Sequence, residues 1–204
     1  MAKNQYELCA EVLKRLDNAG VLKDMVLVGS WCTFFYKGFF GEGYYMIPLK
    51  TRDMDLLIPA PSKTKVHVDV AELLRDLGFI VGFTGSEGYT RMEHPDLIVE
   101  FLVPERGRGS SKPYPLPKLG LNAQPLRFLE FLAQNTITTL VEGVSVRLPH
   151  PANFALHKLV VLSRRTDHVK QAKDKEAAMR VLEVLIDERR EDSIRKAFNT
   201  MPRR

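Results

Sequence analysis

Cysteine is almost missing: two residues, Cys9 and Cys32, in a chain of 204. That excludes a disulfide scaffold, and without metal-type spacing both thiols read as reduced packing residues. The five histidines, His67, His94, His150, His157 and His168, show no ligand spacing either, so zinc chemistry is not expected. Cys9 has no evident partner for nucleophilic catalysis. No hydrophobic run reaches the length of a membrane span. The opening "MAKNQYELCAEVLKRLDNAG" is amphipathic and charged where a signal peptide is continuously apolar. The expectation is a soluble, cytoplasmic protein with no membrane partner. Internal repeats and low-complexity tracts are absent as well.

What is present is enough apolar residue, 45% of the chain, to bury a sizeable core. Net charge is +5, and residues 151–204 hold 13 basic against 8 acidic residues, so the excess sits in the C-terminal quarter. Such a segment attracts phosphate-bearing partners or is simply a solvated helix face.

Asn4 and Glu7 have capping-box spacing, and Leu8, Val12, Leu16 and Ala19 recur with helical period up to Gly20. "MVLVG" follows as a short buried strand and "SWCTFFYKG" as a helix stopped by Gly38. "FFGEGYYMIPLK" reads as a Gly- and aromatic-rich loop, and "DMDLLIP" as a strand halted by Pro59 and Pro61. Val68, Leu73, Leu74 and Leu77 predict a helix closed by Gly78; "FIVGFT", "YTRMEH" and "DLIVEFLV" predict three more strands. From Pro104 to Gly120 the chain should be an extended, mobile loop, either a lid or a plain connector. "ITTLVEGVSVRLP" predicts a hairpin turning at Glu142-Gly143, and Pro151 opens a helix carrying Phe154, Leu156, Leu159 and Leu162. A longer helix with an apolar stripe of Ala178, Leu182, Leu185 and Ile186 follows, then a frayed "MPRR". The tempo predicts an α+β fold built on a mixed sheet: a core over 1–148 and a helical segment over 149–204 that contributes to the active site.

The chemistry concentrates in three places. Asp53 and Asp55, two apart on a strand, project from one face while Met54 points into the core. Crowded carboxylates either hold a divalent cation, Mg²⁺ being the usual one with phosphate oxygens, or line a solvent-facing edge. Glu100 lies inside the apolar "LIVEFLV", where a carboxylate is costly unless paired or metal-bound; an edge strand facing water is the alternative, and Asp69 and Asp96 are the reserve third acids. The Gly29-Ser30 pair is either an ordinary strand-to-helix turn or the opening of an anion cradle.

The order Gly-Ser, short helix, Thr51-x-Asp53-x-Asp55, then a lone acid on a later strand resembles the nucleotidyltransferase superfamily related to DNA polymerase β. The resemblance implies that Gly29, Ser30 and Thr51 approach the nucleotide, that Asp53, Asp55 and Glu100 hold Mg²⁺, and that a nucleoside monophosphate moves from an NTP to an acceptor with release of pyrophosphate. "FALHKLVVLSRRTDHVKQAKDKEAA" is similar to the C-terminal helices of minimal bacterial nucleotidyltransferases of the abortive-infection toxin kind. Lys158-Leu159 and Lys173-Asp174 match their two motifs. By that likeness Lys158 binds the triphosphate, and Asp174 is either a base for the acceptor or an orienter of Lys158. The toxin likeness implies tRNA or a protein as acceptor; a small metabolite is the third class. The motifs lie within residues 27–180, and the chain departs from the polymerase pattern in lacking an obvious fingers region. A catalytically inactive binding protein on the same fold, an antitoxin or regulator, is the competing reading; degenerate members typically lose one of the paired acids, and this sequence has both.

Overall fold

The computed structural model of the chain describes residues 3–41, 44, 51–85, 88–105 and 112–202. Its first helix, α1 (Lys3–Asn18), buries Cys9, Val12, Leu13 and Leu16 and turns out at Gly20, φ 72°. The helix already runs at Lys3, ahead of the expected cap; the side chain of Asn4 lies outside the described residues.

β1 (Val26–Val28) pairs antiparallel with β2 (Asp53–Leu57), and β2 pairs parallel with β5 (Ile98–Pro104). The other edge of β5 is shared. Its first residues pair antiparallel with β4 (Tyr89–Glu93), and its last three pair parallel with β7 (Leu121–Leu126). β3 (Ile80–Thr84) closes the sheet on β4, and β6 (Tyr114–Leu116) adds to β7. This is the mixed sheet of an α+β fold, as the alternation of elements predicts.

The two faces of the sheet differ. Met54, Leu56, Val99, Phe101 and Val103 enter the main core with α1, and Cys9 Sγ lies 3.9 Å from Met54 Sδ. Both cysteines are free and buried, and burial pushes both thiols up. The opposite face carries a smaller cluster of Val26, Val28, Leu57 and Leu102, covered by Leu129 and Leu132 of α5 (Leu129–Gln134). Asp53, Asp55 and Glu100 alternate onto this second face.

Several expectations need correction. The helix after Gly29-Ser30 is broken: α2 (Trp31–Phe35) and α3 (Lys37–Phe40) meet at Tyr36. Gly38 lies within α3 instead of stopping it, because a Cβ there would overlap Thr139 Oγ1 of the packed hairpin; Gly41, φ 82°, is the stop. Phe39 and Phe40 belong to α3, and residues 42–43 and 45–50 of the expected loop lie outside the described residues. Val68 precedes its helix, α4 (Val70–Arg75), whose cap is Asp69 accepting the Glu72 N–H at 3.1 Å. The expected loop from Pro104 to Gly120 is largely built: Pro104 ends β5, Tyr114–Leu116 is β6, and Pro117–Leu119 is a 3₁₀ turn. Its residues 106–111 lie outside the described residues. β7 and α5 follow, neither expected.

The hairpin of β8 (Thr136–Val141) and β9 (Val144–Pro149) turns at Glu142-Gly143 as expected, both with positive φ. α6 (Pro151–Leu162) starts at Pro151 under a His150 cap, and α7 (His168–Asp187) under an Asp167 cap that takes the N–H groups of Val169 and Lys170. The buried row of α7 is Asp174, Ala178, Val181 and Leu185; Ile186, expected in the stripe, is exposed. An unexpected α8 (Glu191–Asn199) packs on α6 and α7. Of the terminal "MPRR", residues 203–204 lie outside the described residues. Among the described residues no helix is long and apolar enough to cross a membrane.

Candidate active site

The parallel pairing of β2 with β5 sets Asp55 directly opposite Glu100, with Asp53 opposite Ile98. On the other side of β2, Asp55 pairs with Val28, so the chain turns at Gly29 just beside its carboxylate. Gly29 has φ 74°, and a Cβ at that position would overlap Asp55 Oδ2. Here is the need for glycine in the Gly-Ser turn: only hydrogen fits between the turn and the acid. The first amides of α2 are already committed, Cys32 N–H to Gly29 O at 3.3 Å and Thr33 N–H to Ser30 O at 3.2 Å. Ser30 is exposed, and its side chain makes no capping bond.

Asp55 carries the strongest electrostatic signature of the patch. Burial above all, then the Glu100 carboxylate, pushes its pKa up to about 7; Lys158 pulls the other way, Asp53 adds to the push, and Arg165 opposes it. Glu100 is also raised, by burial and by Asp53, against Arg91 and Lys170. Asp53 is exposed and fixed by Thr51, whose hydroxyl accepts the Asp53 N–H at 3.1 Å and donates to Asp53 Oδ2 at 3.3 Å. Gln5 Nε2 holds Thr51 O at 2.8 Å, tying α1 to the entry of β2.

The two cations that act on Asp55 come from the C-terminal helical segment. Lys158 on α6 donates to Asp174 Oδ1 on α7 at 2.6 Å, and Arg165 Nε to Asp174 Oδ2 at 2.5 Å. Asp174 is buried, with 5% of its surface exposed, so this acid is not a solvated helix residue. The Lys158 ammonium also lies 5.6 Å from the centre of the Phe154 ring. His157, next along α6, is held neutral: burial foremost, then Lys158, lowers its pKa to about 4.

The two reserve acids are spent elsewhere. Asp69 caps α4, and Asp96 sits in the β4–β5 turn, 3.7 Å from His94 Nδ1. Three functional candidates escaped the sequence reading: Arg91, in register with Glu100 and bonded to Glu93 at 2.7 Å, Arg165, and Lys170. Arg91 was legible only through strand register, and Arg165 sat beside an identical Arg164 in "SRRTD".

For a divalent cation the donor chemistry fits. Asp53, Asp55 and Glu100 supply hard carboxylate oxygens on one face, and burial together with the neighbouring carboxylates raises Asp55 despite Lys158 and Arg165. Among the described residues no three acidic, histidine or cysteine side chains are gathered into a ready-made cage; the acids line a patch that leaves part of any coordination shell to other oxygens.

Comparison with known proteins bears on the fold and the family. A solution structure of the antibiotic-resistance factor ANT(2'')-Ia is similar over 98% of this chain and 99% of its own, at 14% identity and a TM-score of 0.51. The crystal structure of ANT(2'')-Ia in complex with adenylyl-2''-tobramycin is similar over 96% and 99%, at 14% identity and a TM-score of 0.54. Both likenesses are of fold. No curated protein sequence matches. The family model described as "Nucleotidyltransferase" matches residues 7–202, nearly the whole length, and on that ground the chain belongs to the nucleotidyltransferase family.

Proposed function

We propose that the protein transfers a nucleoside monophosphate from an NTP to an acceptor and releases pyrophosphate. The observation that carries this is the β2–β5 register, which sets Asp55 against Glu100 beside Gly29, with Lys158 acting on the same acid from α6. Asp53, Asp55 and Glu100 are the residues to hold Mg²⁺, and when bound the ion supplies Lewis-acid neutralisation of charge on the phosphate oxygens. Thr51 keeps Asp53 in place for that task. Lys158 binds the triphosphate, and the Ser30 hydroxyl, exposed at the turn after Gly29, is a further donor to it. The acceptor oxygen forms its bond to the α-phosphorus as the bridging oxygen to the β-phosphorus leaves.

The acceptor lies along the basic C-terminal helices. RNA, tRNA in particular, is one class and a protein side chain another, as the toxin likeness implies. ANT(2'')-Ia, solved with adenylyl-2''-tobramycin, adds a small hydroxylated molecule as the third. The inactive-binder reading is disfavoured by the intact set of Asp53, Asp55, Glu100 and Lys158. Paired labelling tests the proposal: with Mg²⁺ and cell lysate, label from an α-phosphate should enter an acceptor and label from the γ-phosphate should leave as pyrophosphate. RNase and protease digestion then sorts the acceptor, and an α-phosphate label that enters no acceptor with any NTP would refute transfer.

A further inference from the structure

Arg91 has one acid directly opposite it and another two residues along its own strand. In the antiparallel pairing of β4 with β5 it is opposite Glu100, and on the other edge of β4 it is opposite Gly82 of β3. Directly paired residues share a face of the sheet, so one row across it reads Asp55, Glu100, Arg91, Gly82. Residues so paired have Cβ atoms about 4.5–5.5 Å apart, a separation that an arginine and a glutamate readily bridge. Arg91 does not take that partner. Among the described residues the acid it pairs with is Glu93, Nε to Oε1 at 2.7 Å.

Gly82 makes this arrangement possible. A Cβ there would overlap Glu93 Oε1 and would also meet Glu93 Cδ and Cγ, so the Glu93 side chain lies across the glycine. The backbone does not require glycine for itself, because Gly82 sits within β3 and has no positive φ. Glycine inside a strand weakens it and marks the close approach of another group. That group is Glu93, and it lies on the β3 side of Arg91. It therefore draws the guanidinium away from β5, where Glu100 is. The paired side chains are 30% and 33% exposed, and an ion pair that open to water stabilises the fold too little to explain a glycine in a strand.

We infer that Glu93 is a positioning residue that holds Arg91 off Glu100 and keeps the Glu100 carboxylate open to a divalent cation, with Gly82 supplying the room. This role rests on the nucleotidyl-transfer reading of the site, in which Glu100 is a metal ligand. Without the hold, Arg91 forms the cross-strand pair, and its guanidinium competes with the cation for the same carboxylate oxygens. The alternative is a brace along β4 with no bearing on the acids.

Gly82→Ala separates the two with every charge retained, since only the flexible Glu93 side chain has to move. In calorimetric titration of the full chain with Mg²⁺ it should bind about fivefold more weakly than wild type, the size of one cross-strand ion pair in competition. In an Arg91→Gln background the same substitution should change the affinity by less than about twofold. A metal-free crystal structure of Gly82→Ala should show the Arg91 guanidinium within about 4 Å of the Glu100 carboxylate. Should Gly82→Ala not fold, Glu93→Gln decides: the hold predicts a weakening that vanishes in the Arg91→Gln background, whereas an equal factor in both backgrounds is the plain loss of a negative charge and overturns the role. Mg²⁺ affinity unchanged by Gly82→Ala would overturn it too, as would a wild type that binds no Mg²⁺. Mg²⁺ affinity that depends on Gly82 and Arg91 in a protein that releases no pyrophosphate from any NTP would keep the role and refute transfer. Transfer with Mg²⁺ affinity indifferent to Gly82→Ala would do the reverse.

Discussion

Asp55 is the residue at which folding and function pull in opposite directions. An acid whose folded pKa is about 7, against an ordinary 3.8, binds its proton more tightly folded than unfolded. Its contribution to stability is full below pH 4 and is lost as pH rises through 7. In metal-free protein, Asp55→Asn should therefore raise stability at pH 8 by on the order of 2 kcal/mol, with the advantage gone near pH 4; calorimetric melting across that range checks it. Equal destabilisation at both pH values would make Asp55 a structural acid. Glu100→Gln, one strand over, should weaken Mg²⁺ binding at least about tenfold in a direct titration while the fold persists. Unchanged Mg²⁺ affinity would remove Glu100 from the site. The paired acids and the suspicious Glu100 were legible because alternation on a strand fixes which side chains share a face. That Gly29 exists to clear Asp55 was not, since its reason is a contact across 26 residues.

Among the elements, α5 shapes the site without touching its chemistry. Leu129 and Leu132 close the small cluster over Leu57 and Leu102, two residues along the same strands from Asp55 and Glu100. Leu132→Ala should cost about 2–4 kcal/mol by transfer and cavity terms, read from denaturant unfolding; a loss below about 0.5 kcal/mol would show that α5 is not part of the cooperative core. α1, the hairpin and α6 were readable from helical period, the Glu142-Gly143 turn and Pro151. β6, β7 and α5 were not. "PYPLPKLG" looks like extended loop because its three prolines suit turns, and β6 becomes a strand only by pairing Tyr114 with Ala123 and Leu116 with Leu121. Pro125 likewise masks β7, a strand that pairs parallel only through its last three residues. On α7 the apolar spacing misled by including Ile186, because the buried row is set by where Asp174 must meet Lys158.

On the scale of the molecule, the sheet face that carries Asp53, Asp55 and Glu100 is influenced by cations of the basic C-terminal segment, Lys158 and Arg165 both acting on Asp55. If the acceptor is RNA, affinity for bulk tRNA should fall steeply with salt, log K against log [salt] having a slope near −0.9 per phosphate neutralised on duplex regions. A protein or small-molecule acceptor should show a shallower slope, and no tRNA binding at low salt would remove RNA from the list. The most direct test of the central claim, that the register-paired acids opposite Lys158 form a nucleotidyl-transfer site, is α-phosphate label transfer with each NTP, Mg²⁺ and lysate, comparing wild type with Asp55→Asn. The account predicts labelled acceptor and pyrophosphate from wild type, and loss of at least about a thousandfold in the variant, of the size expected when essential charge stabilisation is removed. Transfer that survives Asp55→Asn, or a wild type that labels nothing with any NTP, would contradict it.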